Sequence, residues 1–203
     1  MSQLQLTPPL LIVTMGYPGA GKTFFARQFA ETYKIPHVSE ERIRFELFEK
    51  PQFNDDEQDI ITRILNYNLE QLMLTKVPIV CDGLFSRQKS RKALFDIAKR
   101  YGYRTLTVWV QTDASTVKHR AMRRDKRSLD NQYSFALDLA DFERLCAQLQ
   151  RPSEKEPSIV LSGKNAFKGQ SLAVLKKITE MYANGLNTQV NNLNSAAGRR
   201  LIS

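Results

Sequence analysis

Residues 16–23 read Gly16-Tyr17-Pro18-Gly19-Ala20-Gly21-Lys22-Thr23, a G-x-x-x-x-G-K-[ST] spacing suited to cradling a phosphate. Glycines at 16, 19 and 21 let the backbone bend tightly and approach an anion with no Cβ in the way. The amide N–H groups of residues 19–24, Ala20 and Phe24 among them, would point at a β-phosphate, and the helix that follows adds its positive dipole end. Lys22 would reach the β- and γ-phosphates, and the Thr23 hydroxyl would ligate Mg2+. The ligand this spacing implies is a nucleoside triphosphate with Mg2+.

Three further groups could complete a site. Asp82 closes the apolar run Pro78-Ile79-Val80-Cys81, where open α/β sheets place their ligands, and a carboxylate there could hold Mg2+ directly or through water. Glu41 and Arg44 sit three apart on one helix and would face the same way. A carboxylate there could deprotonate an acceptor hydroxyl, with Glu40 as the competitor for that role, and Arg44 could bind an anionic part of the acceptor. Arg120, Arg123, Arg124 and Arg127 could close over ATP as a basic lid and neutralise the transferring phosphoryl, with Arg120 and Arg124 taken as the catalytic pair.

Positioning these residues requires alternating strands and helices. Apolar runs over 10–15, 36–38, 78–83, 105–110 and 158–162 read as strands. Helical spacing spans 22–33, 39–48, 55–73, 88–101, 114–124, 134–150 and 172–183. Ser39 reads as a helix cap, with Glu40 and Glu41 in the first turn. This order argues for a P-loop NTPase three-layer α/β sandwich: a five-stranded parallel sheet, helices on both faces and a helical lid. The highly charged stretch 123–132 has no apolar periodicity and reads as a loop. Residues 1–184 are expected to form the domain, and the Asn-rich 185–203 a disordered tail.

The 203 residues are 42% hydrophobic and 25% charged, as expected of a soluble globular protein. No apolar run approaches bilayer-spanning length, and the first residues lack the basic and apolar regions of a signal peptide. Cys81 and Cys146 are far apart with no metal-type spacing, so a cytoplasmic location is expected. The net charge of +9, from 30 Lys and Arg against 21 Asp and Glu, favours polyanionic ligands: nucleotides, nucleic acid or phosphorylated metabolites. His37 and His119 are isolated and read as structural or surface residues. Leu161-Ser162-Gly163 does not continue into a transporter-ATPase signature, and no Asn-Lys-x-Asp motif marks a guanine site.

Four segments together resemble the small P-loop kinases related to polynucleotide kinase and the zeta toxins, often labelled AAA-family ATP-binding proteins. They are residues 16–23; Val38-Ser39-Glu40-Glu41-Arg42-Ile43-Arg44; Val80-Cys81-Asp82-Gly83 with Ser90-Arg91 downstream; and 120–127. Pro152-Ser153-Glu154-Lys155-Glu156-Pro157 is similar to the connection before the last strand in that group. The resemblance implies a lidded phosphotransferase using ATP and Mg2+. In such kinases an Asp followed three residues later by Arg serves as acceptor base and acceptor clamp, the places of Glu41 and Arg44 here. Glu41 is one methylene longer than that Asp, and Leu84-Phe85 stand where relatives often carry Thr-Asn.

The reading that follows is an ATP-dependent kinase. It would move the γ-phosphate to a hydroxyl of a nucleic-acid end, a nucleotide sugar or a small metabolite. The alternative is an ATP-binding or ATP-hydrolysing switch that acts through partners and has no acceptor.

Overall fold

The computed structural model describes residues 4–52, 54–83, 85–123, 133 and 136–200, with side chains to Ala183. Strand β1 (Leu10–Met15) leads through the glycine turn into α1 (Lys22–Tyr33), and β2 (His37–Ser39) leads into α2 (Glu40–Leu47). Then come α3 (Asp55–Leu74), β3 (Ile79–Asp82), α4 (Gln88–Arg100), β4 (Arg104–Gln111) and α5 (Ala114–Met122). The chain closes with α6 (Leu139–Ala147), β5 (Ser158–Ser162) and α7 (Phe167–Arg200). All five strands are parallel, in the order β2-β3-β1-β4-β5.

The apolar run of β1 lies at the centre, buried on both faces, each of its six residues being inaccessible or nearly so. Its alternating side chains divide the core. Leu10 and Ile12 face the layer of α1 and α7, packing with Phe25, Phe29, Val174 and Ile178. Leu11 and Val13 face the layer of α3 and α4, with Leu65, Leu69, Leu94 and Ala98. Helix α3 buries Ile61, Leu65, Leu69 and Met73 at four-residue spacing and leaves Ile60 and Tyr67 outside. The parallel five-stranded sandwich is thus the architecture expected from the alternation.

Several boundaries differ from the sequence expectation. Strand β2 sits one residue later, because Ser39 extends the ladder opposite Asp82 while its hydroxyl also accepts from Arg42 N. Helix α6 starts at Leu139 instead of residue 134, because the Asp138 carboxylate accepts from Asp141 N and caps it there. Helix α7 begins at Phe167, ahead of the expected Leu172, and its backbone is traced to Arg200, past the expected domain end at 184. Among the described residues no helix is long and apolar enough to cross a membrane.

One buried ion pair ties the second half of the chain together. Arg91 of α4 is fully buried, with its Nε 2.6 Å from Glu156 Oε1. Its guanidinium also donates to the carbonyls of Phe85 (2.8 Å), Ser86 (3.1 Å) and Gln150 (3.0 Å). Thr107 of β4 donates its hydroxyl to the same Glu156 oxygen at 2.6 Å. Ser90-Arg91 and the 152–157 stretch, which both carry the family resemblance, therefore meet in space.

Candidate active site

The turn after β1 holds Gly16, Gly19 and Gly21 at φ 144°, 84° and 101°. Gly19 is required twice over: its φ is left-handed, and a Cβ there would lie 2.5 Å from the Val117 carbonyl oxygen and 3.2 Å from Arg120 Cβ. No side chain caps the start of α1, whose cap residue is Gly21. An uncapped helix start behind a glycine turn leaves the amide cradle to a ligand anion, so these residues fit a phosphate. Lys22 is the first residue of α1. It is buried, and its Nζ donates to the Tyr17 carbonyl at 3.2 Å. Ala20 is buried, Thr23 half-buried and Phe24 exposed along the same turn.

Gly163, after β5, braces this turn from behind. A Cβ at Gly163 would stand 2.1 Å from the Ala20 carbonyl oxygen and 2.2 Å from Thr112 Oγ1, which itself donates to that carbonyl at 3.2 Å. The Ala20 contact has no room to yield, since that carbonyl is the phosphate turn's own backbone. Gly163→Ala is therefore expected to displace the turn, costing about 1–3 kcal/mol of stability and weakening ATP binding about tenfold. A thermal melt and an ATP titration check both effects. Unchanged affinity would remove the bracing role.

At the neighbouring strand ends, Asp82 is 2% exposed and accepts a 2.8 Å hydrogen bond from Thr14 Oγ1. Thr14 is the lone hydrogen-bonding side chain in the apolar run of β1, a signal that the sequence reading passed over. Among the described residues no cluster of three or more His, Cys, Asp or Glu forms a metal cage. In phosphoryl-transfer sites Mg2+ is held by one or two protein oxygens together with substrate phosphates and waters. Thr23, half-buried at the start of α1, and Asp82, at the end of β3, are a hydroxyl and a carboxylate, the donor types such a site would use.

Helix α2 separates the two acids that the sequence left open. Consecutive helical side chains point about 100° apart. Glu40 is 4% exposed, accepts from Gln58 Nε2 at 2.9 Å and lies 3.5 Å from Arg44. Arg44 is 2% exposed, 2.6 Å from Glu57 Oε1, and also donates to Gln58 Oε1. Glu57 in turn accepts from Gln52 N at 2.7 Å. Glu41 stays half-buried and lines, with Lys22 and Pro18, a cavity of about 380 Å3. The structure thus brings Lys22, Glu40, Glu41 and Arg44 to one cavity. Gln58, which bridges Glu40 and Arg44, was missed because its partners lie 18 and 14 residues away on another helix.

Arg120 is exposed on α5, its Cβ beside the Gly19 position, and Arg123 is exposed at the helix end. Arg124 and Arg127 lie outside the described residues. From Tyr133, the ring stands 5.3 Å from the Arg42 guanidinium of α2.

His37 carries the site's clearest pH signature. Its Nε2 is buried with no hydrogen-bond partner among the described residues. Burial holds its pKa below the usual 6.5, helped by Arg42 and Arg27 and opposed by Asp82 and Glu31. The unfolded chain then binds the proton more readily, so stability is full above 6.5 and is lost as pH falls from there through the lowered pKa. One proton limits the slope to about 1.4 kcal/mol per pH unit. Melting temperatures between pH 7 and 5.5 should fall for the parent and flatten for His37→Gln. Parallel curves would remove His37 as the source.

Fold and site together define a P-loop kinase-like protein. A family model described as AAA domain matches residues 11–152, and the chain belongs to this family. No curated protein matches by sequence. The fold is similar to a gluconokinase from Sinorhizobium meliloti, at 18% identity over 90% of this chain and 98% of that one, TM-score 0.63. It is also similar to Chaetomium thermophilum Kti12 solved in complex with ADP-AlF3, at 20% identity over 84% and 97%, TM-score 0.63. A third likeness is to a chain of the Pnkp1/Rnl/Hen1 RNA repair complex, at 22% identity over 70% and 44%, TM-score 0.58.

Proposed function

We propose that the protein is an ATP-dependent kinase that moves the γ-phosphate of ATP to an acceptor hydroxyl. The observation that carries this is the shared cavity: Lys22 of the phosphate turn and the half-buried carboxylate of Glu41 line it together. A γ-phosphate on the turn and a hydroxyl beside Glu41 would then meet. Thr23 and Asp82 would hold Mg2+, which when bound would neutralise charge on the phosphates. Lys22, with Arg120 and Arg124, stabilises the transferring phosphoryl, and Glu41 takes the acceptor proton. Arg44, already saturated by Glu57, Gln58 and Glu40, positions this acidic helix face in addition to any contact with the acceptor. Residues 1–184 serve as the kinase unit, and a cytoplasmic location is supported by two free cysteines.

The gluconokinase and the RNA repair complex carry different acceptors in their names, so the likenesses support transfer without selecting its target. The test is transfer of labelled γ-phosphate from ATP into pooled acceptors: 5′-hydroxyl DNA and RNA, nucleotide sugars and a metabolite extract. Labelled acceptor supports the kinase; label found only in free phosphate favours the switch. Glu41→Gln should lower transfer about 10²-fold while ATP affinity holds. Undiminished transfer would move the base to Glu40 or to Asp82.

A further inference from the structure

The cavity between the phosphate turn, α2, α3, α4 and α6 differs in charge from the chain around it. Its cations are Lys22, Arg44, Arg87 and Arg144. Its anions are Glu40, Glu41, Asp55 and Asp141. Among the described residues that line it, cations and anions therefore balance four against four, in a chain with a net charge of +9. Two of the cations are already committed, Arg44 to Glu57 at 2.6 Å and Arg144 to Asp141 at 2.7 Å. A nucleic-acid strand is held by surplus cations along its phosphates and by bases stacked on aromatic rings. Among the described residues no aromatic ring lines the cavity, and its apolar lining is Pro18, Leu137 and Leu145.

What the cavity offers in quantity is neutral hydrogen-bonding groups: Gln52, Asn54, Gln58, Ser86, Ser90 and Gln148. Gln58 is spent on Glu40 and Arg44. Among the described residues the side chains of Ser86, Ser90 and Gln148 make no hydrogen bond and are available to a ligand. Each hydroxyl buried by a ligand needs a partner, so a dense set of amides, hydroxyls and carboxylates matches a molecule dense in hydroxyls. The volume, about 380 Å3, suits a small molecule.

We propose that the acceptor is a small polyhydroxylated molecule of the sugar or polyol class, bound between Glu41 and the free side chains of Ser86, Ser90 and Gln148. This rests on the kinase reading above. In the transfer, an acceptor oxygen forms a bond to the γ-phosphorus as the bond from that phosphorus to the β,γ-bridging oxygen breaks. ADP leaves with the electron pair, and the hydroxyl proton passes to the Glu41 carboxylate and on to solvent.

The test follows ADP release by the full chain with Mg-ATP alone, then with pentoses, hexoses, pentitols, hexitols and aldonic acids. A 5′-hydroxyl decaadenylate is run in parallel, and an ADP titration reports nucleotide binding. Release is expected to rise at least about tenfold with a sugar or polyol, and Gln148→Leu to raise the KM for that acceptor about tenfold with kcat within about twofold. Stimulation and labelling of the oligonucleotide alone would overturn the sugar assignment and keep the kinase. Nucleotide binding with no stimulation by any probe would also overturn the assignment. Absence of nucleotide binding would overturn the kinase reading itself.

Discussion

Lys22→Ala is expected to fold as the parent does and to lose about 10³-fold in ATP turnover, the upper end for removing one pre-aligned donor to a reacting oxygen. The fold should survive because other bonds hold the turn. Ala20 N donates to the Tyr17 carbonyl at 3.1 Å, Phe25 N to Gly21 O at 3.1 Å, and Thr112 to the Ala20 carbonyl. Lys22 itself spends its ammonium on Tyr17 O at 3.2 Å, a bond that a γ-phosphate would replace. Lys22→Arg should not rescue, since a planar guanidinium does not substitute for a compact ammonium inside a backbone cradle. A coupled ADP assay beside a thermal melt separates the outcomes. A folded variant with full turnover would sink the assignment of the turn.

Arg91→Leu should be the most destabilising single change, at about 3–5 kcal/mol, because it removes one partner of a buried pair. The Glu156 carboxylate, 8% exposed, would keep only the Thr107 hydroxyl among these contacts, and the carbonyls of Phe85, Ser86 and Gln150 would lose a donor. At about 2–4 °C per kcal/mol for a chain of this size, the melting temperature should drop by about 6–20 °C. Arg91→Leu combined with Glu156→Leu should recover part of that loss, since no uncompensated charge is left inside. A single variant melting within 2 °C of the parent would show that the pair does not hold the loop.

The phosphate turn, the parallel sandwich and the Ser39 cap are local in origin, and local patterns carry them: glycine spacing, strand-to-helix alternation and a hydroxyl before two acids. What escaped was set by distance. Glu40 and Glu41 are neighbours in sequence, and only the packing of α2 on α3 decides which of them meets Gln58. Gly163 reads as an ordinary loop glycine until β5 brings it against the Ala20 carbonyl. Arg91 and Glu156 each stand in a segment that carries the resemblance, but their pairing is not legible, because they lie 65 residues apart. The start of α6 was misplaced for a local reason: the Asp138 cap was passed over in favour of the helical spacing before it.

The sheet order also fixes when the molecule can become whole during its own synthesis. Strand β1 emerges first, gains β3 on one side early, and waits for β4 on the other. Arg91 waits longer still, for Glu156. At about 5–20 residues per second, those 65 residues amount to about 3–13 s in which the nascent chain carries a guanidinium with its burial site unmade. Chains halted before Glu156 would therefore be the ones that quality-control machinery finds open, with the phosphate turn's sequence already translated and its bracing glycine not yet made.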